Sequence, residues 1–398
     1  MESIEQMIKR LCPKGVEYVK LGEVGKFYGG LSGKSKNDFV DGNAKFITYM
    51  NVYSNPSLCV DVEEKVVIKE GERQNTIQYG DILFTGSSET PDECGMSSVL
   101  TTHVEEDLYL NSFCFGYRFD DLTDINPHFL KHLFRSASLR KAIAKTANGV
   151  TRFNVSKKLF AEIEIPLPPL EIQSRIVEVL DKMTTLTSEL EAELEARKQQ
   201  YEYYRNKLLT FSEIGGGIRQ VTWKTLGETC TILTGGEPCG NIIKGGKSDS
   251  MHPYAIFGNG AEIYGWSDTY RVGTDAVTIS SIGANTGTIY YRKGPFTPII
   301  RLKVILPGEN LSQRFLYHIL KTIKIKKKKS SVPNMNANEI KSILIPVPSM
   351  EEQERIVSIL DRFEALTTDL QSGLPAEIEA RRQQYEYYRN KLLTFEAV

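Results

Sequence analysis

Apolar side chains recur every three or four positions over two long stretches of the chain. In the first stretch they fall at Ile176, Leu180, Met183, Leu186, Leu190 and Leu194, then at Tyr201, Tyr204 and Leu208. In the second they fall at Ile356, Leu360, Phe363, Leu366, Leu370, Leu374 and Ile378, then at Tyr385, Tyr388 and Leu392. That spacing, sustained over so many turns, predicts a long helix with a coiled-coil-like seam in each stretch. Pro168 and Pro169 precede the first stretch, where a missing N–H costs a helix little. About 40 residues at ~1.5 Å each make a rod of roughly 60 Å. Elsewhere the pattern shortens to strand-like runs punctuated by Gly, Asn, Asp and Ser. These lie at 44–53, 64–69, 81–86 and 109–119, and again at 254–258, 276–281, 287–292 and 301–306. One amphipathic helix follows each group, at 126–136 and 312–322, and the two align His132 with His318.

The two stretches are copies. Gln199–Phe211 and Gln383–Phe395 both read QQYEYYRNKLLTF. Upstream, IPLPPLEIQSRIVEVLDKMTTLTSEL (165–190) lies over IPVPSMEEQERIVSILDRFEALTTDL (345–370), and FNVSKKLFAEIEIP (153–166) over PNMNANEIKSILIP (333–346). VEYVKLGE (16–23) repeats as VTWKTLGE (221–228). The offset grows from 180 to 184 inside the helical stretch, so the second copy carries four extra residues around QSGLPAE (371–377). Four extra residues in a heptad pattern are a stutter. Gly373 and Pro375 among them predict a bend or a short break, with Pro375 opening a new helical piece. Two such helices in one chain pack most simply antiparallel. The expected fold class is α+β: two pseudo-symmetric α/β domains separated by two long antiparallel helices that form a coiled-coil-like spacer. The expected boundaries are domain 1 at 1–165, helical region 1 at 166–214, domain 2 at 215–345 and helical region 2 at 346–398.

Composition narrows the picture only slightly. Forty per cent hydrophobic and 25% charged residues are ordinary for a soluble protein of 398 residues. No apolar run is long enough for a membrane span, and the N-terminus lacks the pattern of a signal peptide. Six cysteines form no CxxC pair, which points to reduced thiols and a cytoplasmic location. The net charge of −1 neither supports nor excludes a polyanionic partner. The distribution says more: lysines crowd 321–329, and the counterpart segment 139–154 is also basic, with Arg140, Lys141, Lys145 and Arg152. Lysine-rich edges that displace counterions are what a phosphate backbone requires.

Divergent domains on a near-identical frame imply one job done twice and a second job done in two versions. A twofold frame with two unlike readers suits double-stranded DNA, whose half-sites map onto protein symmetry. The residues expected to contact DNA are Lys34, Lys36, Ser87, Ser88, Lys145, Arg152 and Asn154 in the first half. In the second they are Lys244, Lys247, Ser281, Asn285, Lys326, Lys327, Lys328 and Asn334. GLSGKS (30–35) misses the Walker spacing by one position and reads either as a basic loop on the DNA backbone or as a plain turn. The glycine-rich loops 85–98 and 280–288 either present base-reading Ser, Thr and Asn or are simple turns. His128 and His132 lie four apart on a helix, but Arg314 replaces one of them in the second half, so a surface pair is expected and no metal. In the repeated tails, Tyr201, Tyr204, Arg205, Tyr385, Tyr388 and Arg389 are expected to bind partner subunits, because Tyr and Arg are enriched where proteins meet. Base stacking on the tyrosines is the rival reading. No enzyme signature is found, and no catalytic residue is assigned.

These motifs resemble one family. LCPKGVEYVKLGEV (11–24), the IPLPPLEIQ and IPVPSMEEQ corners, and the two QQYEYYRNKLLTF tails look like the specificity subunit of bacterial type I restriction-modification systems, in order and over the whole chain. The resemblance implies two target recognition domains, each reading one half of a split, asymmetric DNA site. It implies that the helices act as a ruler for the spacer and that two methylation (M) subunits dock on them. Two restriction (R) subunits would complete the assembly. The chain itself would be non-catalytic and bind no cofactor. S-adenosylmethionine, ATP and Mg would belong to the partners, in a complex that is an adenine-N6 methyltransferase and an ATP-dependent endonuclease. A free-standing DNA-binding regulator and a scaffold without a nucleic-acid role are the alternatives.

Overall fold

A computed structural model describes residues 2–211, 221–323, 334–369 and 372–398. The chain divides into two compact units, Met1–Leu190 with Ile378–Val398, and Glu191–Glu377. The units therefore differ from the expected domains in one respect: each takes a stretch of the helical regions, and the last helix of the chain belongs mainly with the first half.

In the first unit a four-stranded antiparallel sheet carries β1 (Gly25–Gly29), β2 (Ile82–Thr85), β3 (Ser97–Val99) and β4 (Cys114–Phe119), in the order β1-β4-β2-β3. The middle strands alternate little because both faces are covered: Ile82, Leu83, Phe84 and Tyr117 are all fully buried. A second small sheet sets strand Ala44–Ile47 between Lys65–Val66 and a parallel partner, Leu108–Leu110. The second unit repeats the plan with β5 (Cys230–Thr234), β6 (Ala276–Ile279), β7 (Ile289–Arg292) and β8 (Lys303–Pro307), ordered β5-β8-β6-β7. Its second sheet again contains a parallel pair, Tyr254–Phe257 with Phe296–Pro298. The run at 44–53 is only partly strand: Thr48 caps a helix, Tyr49–Ser54, by accepting a hydrogen bond from the Asn51 N–H. The strand-like run of 44–53 gave no sign of the helix, and a capping threonine ended the strand. The run at 109–119 is likewise two strands joined by a turn at Ser112–Phe113.

Helices α1 (Pro127–Leu133) and α3 (Gln313–Thr322) are the predicted amphipathic helices. Helix α2 runs unbroken over the 40 residues Leu170–Leu209. Its counterpart is two helices, α4 (Met350–Thr368) and α5 (Leu374–Leu392). Of the alternatives at the four-residue insertion, the break is the one observed, with Pro375 in the first turn of α5, where its missing N–H has no intrahelical acceptor to lose.

Both Pro-rich corners are fixed the same way. Fully buried Gln173 donates from Nε2 to the carbonyls of Asp124 (2.9 Å) and Pro168 (2.7 Å) and accepts from the Asn126 N–H (2.8 Å). Gln353, also fully buried, donates to Asn310 (3.0 Å) and Pro348 (2.9 Å) and accepts from Ser312 (2.8 Å). The glutamine of each EIQ or EEQ motif thus ties its long helix to the cap of α1 or α3.

The apolar stripe is buried where it meets a domain. Ile176 and Leu180 join the core of the first unit, and Ile356, Leu360, Tyr201 and Leu208 that of the second. Leu186 and Leu366 remain 39% and 37% exposed, so the apolar stripe is open at those turns rather than buried throughout.

Candidate nucleic-acid interface and partner-facing tails

In both domains the structure brings the glycine-rich loop and the segment after the basic stretch together. In the first, Ser87 and Ser88 pair antiparallel with Asn154 and Phe153, and the Val155 N–H donates to the Gly86 carbonyl at 3.0 Å. In the second, Ile282 bridges Asn334 and the Met335 N–H donates to the Ser281 carbonyl at 2.9 Å. Asn154 and Asn334, aligned by the repeat, thus sit at equivalent edges, and both are exposed.

The predicted contact residues divide by what their side chains already do. Lys36, Lys145, Arg152, Asn154, Lys244, Lys247, Asn285 and Asn334 are exposed. Arg152 borders a cleft of about 450 Å³ together with Tyr49, Met50, Tyr53, Ser88 and Glu93. Its Nε donates to the Ser87 hydroxyl at 3.1 Å. Lys244 borders a second cleft, of about 430 Å³, with Ile242, Tyr264 and Ile300. Three of the expected contact residues are instead engaged within the protein. The Lys34 side chain is 5% exposed and its ammonium donates to the Val67 carbonyl and the Glu72 carboxylate, so GLSGKS is a tethered turn and this lysine cannot reach a phosphate. Ser87 is buried behind Arg152. Ser281 is buried, and its hydroxyl donates to the Arg301 carbonyl at 2.6 Å. Both serines shape their loops instead of facing outward. Lys326, Lys327 and Lys328 lie outside the described residues. Arg140, part of the basic segment, is directed inward, donating to the carbonyls of Asp92 and Cys94.

Sequence reasoning missed the outward-facing apolar residues beside these loops. Met50 and Phe113 are each 61% exposed, and Ile300 is 53% exposed. Met50 and Phe113 lie in runs that read as strand, and Ile300 directly precedes one, so periodicity gave no sign that turns would present them. Among the described residues no helix is long and apolar enough to cross a membrane.

The repeated tails turn out to be structural as well. In the first unit, Asp181 of α2, buried His132 of α1 and Tyr385 of α5 form a chain. His132 Nε2 lies 2.6 Å from Asp181, and Nδ1 lies 2.9 Å from the Tyr385 hydroxyl. A neutral imidazole fits: Nε2–H donates to the carboxylate, and Nδ1 accepts from the tyrosine. Burial pushes His132 below the ordinary imidazole range against the pull of Asp181. Asp181 is held at about 2, its burial outweighed by hydrogen bonds from His132 and Lys131. In the second unit, His318 makes the same 2.6 Å bond to Asp361, and Arg314 bonds to both Asp361 and Glu364. Here Tyr201 packs beside Phe363, but its hydroxyl and His318 Nδ1 are both buried without a hydrogen-bond partner among the described residues. His132 is therefore a core residue, not the surface residue expected. Possible ligand atoms of His318, Asp361 and Glu364 cluster within 4.8 Å, but Arg314 and Lys321 already neutralise that group.

Of the tail residues assigned to partners, Tyr201 is 9% exposed, and Tyr204 stacks on Phe363 with centroids 5.7 Å apart. Arg205 lies over Tyr201 and Arg389 over Tyr385. These side chains first hold each tail to its own unit. The faces left outward carry Tyr203 and Tyr387, 59% and 62% exposed, with Tyr388 half-exposed. Tyr388 borders a mainly apolar groove of about 380 Å³ with Val179, Met183 and Leu186. In the second unit Phe363 replaces Met183 in the repeat, and Tyr204 stacks on it.

Two domains of one plan, each pairing a strand-exit loop with the segment around Asn154 or Asn334 and each mounted on a copy of one helical frame, define a twinned protein. Residues 13–197 and 220–380 match the family model of the type I restriction modification DNA specificity domain. The chain belongs to that family. It is 39% identical over 269 residues to the EcoR124I/EcoR124II specificity subunit of Escherichia coli, a match spanning 61% of this chain and 64% of that subunit. Its fold is that of the S subunit of a type I restriction-modification system from M. genitalium, at TM-score 0.58 and 17% identity over 95% of this chain and 96% of that one. A chain from a structure concerned with complex assembly and conformational transition of the type I R-M system gives TM-score 0.61 at 19% identity, over 96% of this chain and 98% of its own.

Proposed function

We propose that the chain gives a type I restriction-modification complex its DNA sequence specificity, each domain reading one half of a bipartite, asymmetric site. The observation that carries this is the recurrence, in two domains of diverged sequence, of one arrangement: a glycine-rich loop paired to the segment that follows the basic stretch. Phosphate contacts position such a reader and base edges give it specificity, so exposed lysines beside divergent loops are the expected division of labour. Lys36, Lys145, Arg152, Lys244 and Lys247 serve the backbone, and Asn154, Asn285 and Asn334 are placed to contact either backbone or bases.

The helical frame sets the spacer and docks two methylation subunits, and two restriction subunits complete the complex in the cytoplasm. The outward faces of the repeated tails, Tyr203 and Tyr387 with Tyr388, are the docking residues. This chain binds no cofactor. S-adenosylmethionine, ATP and Mg reside on the partners. Co-expression with a methylation subunit, followed by long-read mapping of modified adenines, tests the reading. A split motif with two short halves around a fixed spacer is expected. Co-purification without any such motif would refute DNA reading and leave an assembly scaffold.

A further inference from the structure

Each domain leaves its parallel strand pair through a two-residue turn before entering the main sheet. In the second domain the turn is Ile300–Arg301, between Phe296–Pro298 and β8. In the first it is Ser112–Phe113, between Leu108–Leu110 and β4. The flanking bonds correspond. The Asn111 N–H donates to Ile47 and the Ile299 N–H to Phe257, both at 2.9 Å, while Gly30 donates to Cys114 and Gly235 to Leu302.

Ile300 and Arg301 hold φ of 52° and 58°. A β-branched residue in the left-handed region is a genuine outlier, and glycine would make the same turn without strain. The conformation persists because the surroundings fix it. The Ile300 N–H donates to Gly236 (3.1 Å) and the Arg301 N–H to Gly235 (2.9 Å). Asn259 Nδ2 donates to the Ile300 carbonyl at 2.5 Å, and the Ser281 hydroxyl to that of Arg301 at 2.6 Å. Asn259 Oδ1 also accepts from the Ser281 N–H at 2.7 Å, which ties the tip to the glycine-rich loop. Every backbone polar group of the tip is held, and both side chains point to solvent. The first domain does the same: the Gly86 N–H of its loop donates to the Phe113 carbonyl at 2.8 Å, leaving the ring exposed. Among the described residues no hydrogen bond or ion pair engages these side chains, so they are free to act on something outside the protein.

We infer that these tips are base-reading elements of the two half-sites. Resting on the DNA-specificity reading above, the inference assigns Arg301 to a bidentate contact with guanine O6 and N7 in the major groove. It assigns Ile300 and Phe113 to apolar contact with thymine methyl groups. Ile300 lies in the same cleft wall as Lys244, which places a phosphate-seeking cation next to the reader.

The test is methylation mapping with the full complex carrying Arg301→Ala, Ile300→Gly or Phe113→Ala. Arg301→Ala and Ile300→Gly should relax one position of one half-site by roughly tenfold in preference and leave the other half intact, and Phe113→Ala should do the converse. Ile300→Gly also removes the strain, so its melting temperature should hold or rise while discrimination falls. A turn with only a structural role would give no change in motif. If the wild-type complex shows a split motif and all three variants keep it unchanged, the assignment is overturned. Absence of a split motif from the wild type would instead refute the broader reading.

Discussion

Replacing Tyr385 by Phe, and separately Tyr201 by Phe, makes the same change in two copies of the same segment. The structure assigns the two substitutions different costs. The Tyr385 hydroxyl is bonded to His132 Nδ1 at 2.9 Å, and His132 is 2% exposed, so its loss leaves a buried acceptor unpaired. That costs about 1–3 kcal/mol. Among the described residues the Tyr201 hydroxyl has no hydrogen-bond partner to lose, and neither does His318 Nδ1, so Tyr201→Phe should fall within about 0.5 kcal/mol of neutral. The arginine beside each ring is common to both copies and cancels from the comparison. Calorimetry of the full chain reads the difference, since each kcal/mol lowers Tm by roughly 2–4 °C in a unit of this size. Equal falls for the two variants, or a larger fall for Tyr201→Phe, would refute the argument that the identical tails are anchored differently.

Gln173→Ala and Gln353→Ala should each cost about 2–4 kcal/mol in urea unfolding, because each removes three hydrogen bonds at a fully buried corner. Met183→Phe should stack on Tyr388 as Phe363 does on Tyr204 and raise stability by about 0.5–1.5 kcal/mol; a lower Tm would show that the groove cannot close. His132 and His318 are depressed mainly by burial, so the folded state favours the neutral rings. Their contribution is present above about 6.5, the unfolded value, and is lost as pH falls from there through the folded values. Melting temperature should therefore decline as pH falls below about 6.5 and decline less in His132→Gln; an identical pH profile in the variant would count against that assignment. For DNA binding by the complex, Lys36→Ala should reduce the salt dependence by about one counterion and Lys34→Ala should not, since Lys34 is bonded to Glu72.

The repeat, the helical stripes and the Pro-rich corners could be read from the chain because each is local: 3.6-residue periodicity and proline chemistry show in sequence regardless of what they pack against. The twofold plan and the two-reader expectation followed from them. What the sequence could not show was which surface each side chain reaches. GLSGKS read equally as a basic loop or a plain turn, and only the bond to Glu72, 38 positions away, decides between them. The run at 109–119 read as one strand, because only the tertiary pairing of Leu108–Leu110 with Ala44–Ile47 forces a turn at Phe113. The tails could be recognised as twins, but not their unequal anchoring, because His132 and His318 come from distant segments and their partners are chosen by packing. Sequence alone determined the repeated elements and their order. Tertiary structure decided which charges are neutralised inside and which side chains are left exposed, since burial and pairing depend on neighbours that are far apart along the chain.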